Sequence, residues 1–160
     1  MLFVTVGTDQ PFDRLVKVVD AWARQRDRRD VFAQIGHGGW RPEFIPHAEF
    51  LNPAEFKQRF ASADCIIGHA GMGTILSALH QGKPIVVMPK RASLGEHRNE
   101  HQLATAQRFK ELGSVQVALD EAELVGKLDQ LGQFSRPEKI RPYASDTLIS
   151  ALRSFIGEAA

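Results

Sequence analysis

The chain has 160 residues, of which 43% are hydrophobic and 24% charged, and its formal net charge is +1. These values are typical of one globular domain with a sizeable core, and they argue against a chain built mainly to bind nucleic acid. No apolar run approaches the roughly 18 residues that a transmembrane helix needs, which makes any membrane contact peripheral by expectation. The single cysteine, Cys65, has no partner for an internal disulfide. Its isolation favours a cytoplasmic location and a buried, packed thiol.

Strand-like and helix-like segments alternate almost strictly along the chain. Strands are predicted where short apolar runs lie between turn residues, and helices where apolar residues recur every three or four positions. In chain order the predicted elements are a strand at 2–6, a helix at 12–23, strands at 30–35 and 49–51, a helix at 53–61, a strand at 63–68, a helix at 74–81, a strand at 85–88, a helix at 103–112, a strand at 114–118 and a helix at 121–131. This alternation predicts an α/β, Rossmann-like, doubly wound parallel sheet of about six strands with helices on both faces.

Residues at the predicted helix ends support these boundaries. Asn52 is placed to cap the second helix, with a glutamate three positions later, and Gly113 is placed to end the fourth. Gly132 follows the last residue of the fifth predicted helix. We therefore predict a Rossmann-like domain at 1–132, with 133–160 as a linker and C-terminal amphipathic helix of the same domain.

The loop between the fourth strand and the third helix is rich in glycine. Gly68, Gly71 and Gly73 remove Cβ atoms there, which lets backbone N–H groups approach an anion. The following helix directs the positive end of its dipole at the same point, and phosphate is therefore the natural ligand. Neither G-x-x-x-x-G-K-[ST] nor a G-x-G-x-x-G after the first strand is present. A nucleoside diphosphate held without a P-loop is the expectation.

Other loops are expected to meet this one. In a doubly wound fold the ligand lies beyond the carboxyl ends of the strands. The loops that begin at Gly7, His37, His69 and Pro89 all leave such ends, and their glycines, histidines and basic residues should converge. Taken singly, each loop is equally consistent with a simple turn.

Four motifs follow one another in the order FVTVGT at Phe3–Thr8, GHAGMGT at Gly68–Thr74, GKP at Gly82–Pro84 and NEHQLA at Asn99–Ala104. Together they resemble the C-terminal, nucleotide-sugar-binding domain of glycosyltransferase family 28, over roughly residues 1–130. The resemblance is strongest to small stand-alone versions of this domain. That group includes the catalytic subunit of the eukaryotic two-subunit dolichol-diphosphate N-acetylglucosamine transferase and bacterial capsule and exopolysaccharide subunits.

The resemblance implies half of a GT-B glycosyltransferase. Such a chain would be the donor-binding catalytic subunit that moves a hexose from a UDP-sugar to a lipid-diphosphate-linked sugar acceptor in surface polysaccharide biosynthesis. It would act at the inner face of the membrane, through a membrane-anchored partner that binds the acceptor. The alternative is a non-catalytic nucleotide-binding or scaffold subunit of such a complex. An NAD-linked oxidoreductase is disfavoured, because the expected glycine triplet is missing after the first strand.

Binding residues for the nucleotide-sugar also follow from the resemblance. They lie in the two glycine loops, the following helix and a polar cluster expected to contact the donor sugar, and they are Gly7, Thr8, His69, Gly71, Met72, Gly73, Thr74, Ser77, Asn99, His101 and Gln102. Many relatives carry an acidic residue at the position of Ser77, where it binds both ribose hydroxyls. A serine leaves ribose recognition open, and Glu96 and Glu100 are the candidate replacements. No catalytic base is identifiable, and by analogy it should lie on the partner.

Charged residues near the predicted site allow further expectations. Lys90 or Arg91 could add positive charge near a diphosphate, although a solvated surface pair is the alternative. The sequence has no Asp-x-Asp, the pair by which another transferase class holds a divalent metal, and a metal-independent mechanism without a cofactor is therefore expected. His97 and His101 are four residues apart, but no third ligand accompanies them, which argues against a zinc site.

A last amphipathic helix is predicted over Ser145–Gly157. Its apolar residues recur at helical spacing and are Leu148, Ile149, Leu152, Phe155 and Ile156. Terminal helices usually pack on their own domain, whereas the resemblance implies that this one reaches the partner subunit. Both interpretations are open from the sequence.

Overall fold

The computed structural model describes residues 1–113, 115–137 and 139. Within them six strands form one parallel sheet: β1 (Leu2–Thr5), β2 (Val31–Gln34), β3 (His47–Ala48), β4 (Cys65–His69), β5 (Ile85–Met88) and β6 (Gln116–Val117). Five α-helices lie in the same part of the chain: α1 (Asp13–Gln25), α2 (Pro53–Ser62), α3 (Met72–His80), α4 (His101–Leu112) and α5 (Glu121–Asp129). The predicted α/β, Rossmann-like architecture is confirmed.

The strand order across the sheet is β3-β2-β1-β4-β5-β6. From β1 the chain first builds outward through β2 and β3, then returns to place β4 on the other side of β1 and builds outward again. The reversal makes the boundary between β1 and β4 the topological switch point, where the loops leaving the two strands diverge and open a crevice. Ligands in folds of this type bind in that crevice.

Side chains of the central strands alternate between two cores. On one face Val4 packs with residues of α1 and α5. On the other face Phe3 packs with residues of α2, α3 and α4, and its ring lies edge-on to Phe56 and Phe60 with centroids 5.4 and 6.3 Å away. Each fully buried side chain of this size stabilises the fold by about 1.5–3 kcal/mol. The buried strands hold the loops at their carboxyl ends at fixed separations.

Two predicted helix-end signals are confirmed. The side chain of Asn52 accepts a hydrogen bond from the Glu55 backbone N–H at 2.9 Å and so caps α2. Gly113 follows α4 in the left-handed conformation with φ +68°. The helix that follows β4 at the switch point is α3. Its N-cap residue, Gly71, has no side chain that would occupy the crevice.

Three element boundaries differ from the prediction. The strand expected at 49–51 lies at His47–Ala48, because the buried carboxylate of Asp20 accepts the backbone N–H groups of Phe44 and Ile45, each at 2.9 Å, and fixes the chain just before the strand. The helix α3 begins at Met72 rather than at residue 74. The helix α5 ends at Asp129, and residue 131 lies in a separate 3-10 turn.

The predicted terminal helix at Ser145–Gly157 lies outside the described residues, as does most of the predicted linker-and-helix segment 133–160. Among the helices of the described residues, none combines the length and the apolar character that crossing a bilayer requires.

Candidate functional site

A cleft opens at the carboxyl ends of β1, β4 and β5, and it consists of two adjoining cavities that share Gly7, Thr8 and His69. The cavity we call the polar lobe has a volume of about 330 Å³, and its other lining residues are Val6, Asp9, Ala70, Gly71, Met72, Lys90, His97, His101, Gln102 and Thr105. The cavity we call the aromatic lobe has a volume of about 350 Å³, and its other lining residues are Thr5, Gln34, Phe56, Phe60, Gly73, Thr74 and Ser77.

The predicted convergence of loops is largely present. The loops after β1, β4 and β5 each contribute residues to the cleft. Strand β2 contributes Gln34 to the cleft, but the loop that follows β2 does not reach it. His37 in that loop is exposed, and its Nδ1 lies 3.0 Å from a carboxylate oxygen of Glu49. That contact is consistent with a simple turn at this point of the chain.

His69 forms the wall between the two lobes. Its ring fills the space beside two glycines: a Cβ on Gly7 would lie 2.7 Å from Cε1, and a Cβ on Gly71 would overlap Nε2. Gly7 also has φ +83°, a conformation that other residues rarely adopt. The sequence suggested that these glycines leave room for an anion, whereas in the structure they leave room for an imidazole. A Cβ on Gly73, in contrast, would meet no described atom within 4 Å.

The imidazole of His69 is neutral near pH 7. Burial, with a smaller contribution from the positive charge of Lys90, lowers its pKa from about 6.5 to about 4. Its Nδ1 is buried without a hydrogen-bond partner among the described residues. A neutral ring next to a lysine can donate or accept a hydrogen bond, but it adds no charge to the cleft.

Lys90 lies inside the cleft rather than on the surface. Its side chain is only 1% exposed, its ammonium donates to the backbone carbonyl of Gln10, and its Nζ lies 5.8 Å from the centroid of the Phe12 ring. Arg91 points elsewhere, since its guanidinium donates to the Leu119 carbonyl at 2.7 Å. The solvated surface pair considered from the sequence is therefore wrong for Lys90.

The electrostatic surroundings of Lys90 are unusual for a buried cation. Burial lowers the pKa of its ammonium, and Asp9 and Glu96 oppose that change. Neither carboxylate is an ion-pair partner of Lys90 in the described part of the chain: Asp9 lies 3.8 Å from Arg98, and Glu96 lies 2.7 Å from the guanidinium of Arg14. The direct partner of the ammonium is a backbone carbonyl, and the two carboxylates act on it only from a distance.

Glu96 and Glu100 are both engaged away from the cleft. Glu96 holds Arg14 through two hydrogen bonds of 2.7 and 2.8 Å. Glu100 accepts the backbone N–H of Ser93 at 3.1 Å. Neither lines either lobe, and the structure gives no support to the suggestion that one of them replaces the acidic ribose ligand.

The predicted sugar-binding cluster is split by the start of α4. Gln102 is buried, lines the polar lobe and accepts the Lys90 backbone N–H at 3.1 Å through Oε1. His101 lines the same lobe. Asn99 is exposed and lines neither lobe, and its Oδ1 accepts the backbone N–H of His101 at 3.2 Å. In this structure Asn99 therefore supports the start of the helix.

The aromatic lobe contains residues that sequence reasoning missed. Gln34 at the end of β2 is buried, and its Oε1 has no hydrogen-bond partner among the described residues. Phe56 and Phe60 of α2 line the lobe beside it. Ser77 faces the same space, but its hydroxyl donates to the Gly73 carbonyl of its own helix at 2.7 Å. A single polar residue at the carboxyl end of an apolar strand was the signal that could have identified Gln34.

The described residues contain no group of three or more His, Cys, Asp or Glu side chains that could hold a metal ion. The candidate pair His97 and His101 both line the polar lobe, without a third ligand of this kind in that part of the chain.

Residues 1–150 match the glycosyltransferase family 28 C-terminal domain. The chain belongs to this family. The match confirms the resemblance read from the four motifs, and it extends beyond the segment in which they lie.

Named relatives of this family-28 chain include transferase subunits. The UDP-N-acetylglucosamine transferase subunit ALG13 of Eremothecium gossypii is 40% identical over 124 residues, which are 76% of this chain and 59% of that protein. The human protein of the same name is 32% identical over 122 residues, covering 70% of this chain and 10% of that protein. The chain thus spans less than two thirds of the length of these relatives.

Solved structures of low sequence identity share the fold. An NMR structure of ALG13 has 22% identity and a TM-score of 0.58, covering 94% of this chain and 93% of that one. The crystal structure of Acinetobacter baumannii MurG has 18% identity and a TM-score of 0.59, covering 82% of this chain and 41% of that one. The six-stranded sheet is therefore that of the C-terminal domains of GT-B glycosyltransferases, as predicted.

Proposed function

We propose that the chain is the donor-binding catalytic subunit of a glycosyltransferase that moves a hexose from a UDP-sugar to a lipid-diphosphate-linked acceptor in surface polysaccharide synthesis. The observation that carries this proposal is the cleft at the switch point, with one aromatic lobe and one polar lobe on either side of His69. A nucleoside diphosphate sugar has the same division, with a flat heteroaromatic end and a charged, hydroxyl-rich end.

The nucleoside is assigned to the aromatic lobe. Phe56, supported from behind by the buried ring of Phe60, provides apolar surface for a base. The Oε1 of Gln34, which has no hydrogen-bond partner within the described part of the chain, can accept an N–H from the edge of that base. The diphosphate then lies near Gly71 and Met72, where the first N–H groups of α3 have no helical partner. The sugar reaches the polar lobe beside His101 and Gln102.

Charge on the leaving diphosphate is what this cleft would stabilise. When the bond between the anomeric carbon and the phosphate oxygen breaks, negative charge grows on the diphosphate, and N–H groups already oriented at a helix start lower the barrier. We propose that no resident metal takes part, because the sequence lacks the Asp-x-Asp pair. The base that accepts the acceptor's proton is assigned to the partner.

The acceptor and the partner are inferred from relatives. One relative, from Solibacter usitatus, is named as a transferase acting on a pyrophosphoryl-undecaprenol acceptor and is 32% identical over 99 residues, covering 62% of this chain and 24% of that protein. Others are named as transferase subunits. We propose that a membrane-anchored subunit binds the acceptor and holds this chain at the inner face of the membrane, with the segment at Ser145–Gly157 as one contact.

Calorimetry and transfer assays test the proposal. The purified chain should bind UDP and transfer little sugar alone, and it should gain activity when its membrane-anchored partner is added together with a lipid-diphosphate acceptor. Failure to bind UDP would reject the donor-binding role. Full turnover by the chain alone would reject the two-subunit arrangement. A chain lacking residues 145–160 should still bind UDP but no longer co-purify with the partner.

A non-catalytic nucleotide-binding subunit is the second candidate. The observation that favours it is the engagement of the Ser77 hydroxyl with the Gly73 carbonyl, which leaves no carboxylate at the position where many relatives bind ribose. This candidate predicts UDP binding without transfer even in the complete complex, and the same assay with the partner present separates the two.

A further inference from the structure

The buried ammonium of Lys90 lines the polar lobe without a carboxylate partner in the described residues. Removing a charge from water costs several kcal/mol unless an opposite charge or strong hydrogen bonds replace the lost solvation. Here the compensation consists of the Gln10 carbonyl and the face of the Phe12 ring. A cation left in this state beside an open cavity has an unsatisfied preference for an anion.

We propose that Lys90 is the charge that binds the donor's diphosphate, in the place where other transferases use a divalent metal. This inference rests on the proposed function and assigns the residue within it. The ammonium is held on the Gln10 carbonyl, and a diphosphate entering the polar lobe becomes its second ligand. Arg91 is excluded from this role, because it is bound to Leu119 outside both lobes.

The position of Lys90 is fixed before the ligand arrives. Its backbone N–H is held by Oε1 of Gln102, and its buried stem leaves the ammonium little freedom. Most of the entropy cost of ordering a long side chain is therefore already met on folding rather than on binding. Gln102 is a positioning residue in this respect, whatever contact its amide nitrogen makes with the sugar.

The groups around Lys90 leave a net positive electrostatic potential in the part of the polar lobe that faces α3. His69 is neutral and separates the lobes, and Gly71 presents the start of α3 to the same space. The lobe's one carboxylate among its lining residues, Asp9, faces Arg98 at 3.8 Å. A diphosphate between Lys90 and the first turn of α3 would meet a full positive charge on one side and a helix dipole on the other.

The effect on the reaction follows from charge balance. In the transfer step the bond from the anomeric carbon to the diphosphate oxygen breaks and its electron pair stays on UDP, while the acceptor oxygen bonds to the anomeric carbon and its proton passes to the partner's base. Lys90 stays protonated throughout. It binds the leaving UDP more tightly as the negative charge on the diphosphate grows. Its removal should therefore lower kcat with the sugar donor as well as weaken UDP binding.

A purely structural role is the alternative, and Lys83 provides a matched control. Its ammonium donates to the Ala61 and Ala63 carbonyls at the C-terminal end of α2. Like Lys90, this lysine donates to backbone carbonyl groups, but it lines neither lobe. A Lys83→Met variant measures what loss of such a bridge does to the fold alone.

The test is calorimetric titration of UDP and uridine into the folded chain and its variants. Lys90→Met should weaken UDP binding by about 30-fold or more and leave uridine binding within about two-fold, because only UDP carries the charges. Lys83→Met should leave both affinities unchanged. Lys90→Gln keeps a donor for the Gln10 carbonyl while removing the charge, and it takes the place of Lys90→Met if that variant does not fold.

The outcomes separate this inference from the proposed function. Unchanged UDP affinity in either folded, charge-free Lys90 variant overturns the assignment of Lys90 while leaving the donor site in place. An equal loss of UDP and uridine affinity also overturns it, since that result describes a distorted cleft. A wild-type chain that does not bind UDP overturns the proposed function itself. With the partner present, a fall in kcat beyond the change in donor affinity supports Lys90 as a catalytic residue.

Discussion

The polar and aromatic lobes have nearly equal volumes, about 330 and 350 Å³, but they are built differently. The aromatic lobe lies between two helices and a strand end, with ring surfaces and one buried amide. The polar lobe is formed mainly by loops, and it contains the Lys90 ammonium beside the ring of Phe12, the residue before α1. The two lobes therefore differ less in volume than in the charge that they offer to a ligand.

The wall between the lobes is as informative as the lobes themselves. The His69 ring occupies the space beside Gly7 and Gly71, and Lys90 lines only the polar lobe on one side of that ring. Changes to this wall should affect both lobes at once, whereas changes within a lobe should affect one end of the ligand.

The largest effect is expected from Gly71→Ala, because this change displaces the His69 ring that separates the two lobes. The new Cβ overlaps Nε2 of His69, and the resulting displacement should destabilise the fold by about 1–3 kcal/mol and reduce UDP affinity by about 100-fold. Gly73→Ala is the matched control, because its Cβ meets no described atom within 4 Å and should not lower the melting temperature.

Steric conflict predicts a specific rescue of that variant. Adding His69→Ala to Gly71→Ala removes the ring that the new methyl group meets, and the double variant should be more stable than Gly71→Ala alone. Strictly additive losses in thermal unfolding would show that the ring and the glycine are not coupled.

The neutral state of His69 predicts an acid-sensitive fold. Its pKa is about 6.5 when unfolded and about 4 when folded, and between these values the unfolded chain binds the extra proton. Stability should therefore fall as the pH is lowered from 6.5 towards 4, by up to about 3 kcal/mol from this group. Denaturant unfolding of the native chain and of His69→Gln over this range measures it, and parallel pH curves for the two would contradict the prediction.

Within the aromatic lobe, Gln34→Leu should weaken binding of the base and leave binding of the diphosphate unchanged. It removes a buried amide with an unpartnered oxygen, and the fold should therefore be as stable or slightly more stable. The affinity for uridine should fall by about ten-fold, because the base loses a hydrogen-bond acceptor, while pyrophosphate binding should be unaffected. Equal losses for uridine and pyrophosphate in calorimetry would place Gln34 outside base recognition.

Within the polar lobe, Gln102→Ala is expected to have the smallest effect. The loss of the Gln102 amide from the sugar side of the lobe should weaken donor-sugar binding by about five-fold. The loss of its single hydrogen bond to the Lys90 backbone should weaken the binding of UDP without a sugar by about two-fold or less. Comparing UDP with UDP-sugars by calorimetry checks this, and a larger loss for UDP than for the sugar donor would remove Gln102 from the sugar side.

Local patterns were sufficient to predict much of this molecule. Short apolar runs and helical spacing predicted five of the six strands in place, with the third expected a few residues too late, and the Asn52 cap and the helix-ending Gly113 are present as expected. The position of the cleft also followed, because strand ends in a parallel sheet lie along one edge. These features depend on residues that are close together in the sequence or on general rules of chain connection.

The chemistry of the cleft depends on contacts that the sequence could not reveal. Lys90 is buried because Gln10 and Phe12, some eighty positions earlier, come to cover it. Glu96 is unavailable as a ribose ligand because Arg14 reaches it from α1. Each pairing joins elements from opposite halves of the sheet, and local spacing carries no signal for it.

The fit of one imidazole between two glycines also bears on how relatives diverge. Positions 69 and 71 are expected to change as a pair, because a ring at 69 is compatible only with hydrogen at the α-carbon of residue 71, whereas Gly7 is held by its φ of +83° as well. A lineage that first replaces His69 by a small residue gains freedom at position 71, whereas one that first replaces Gly71 should lose its ligand. Histories of this family should therefore contain the first order of substitution and lack the second.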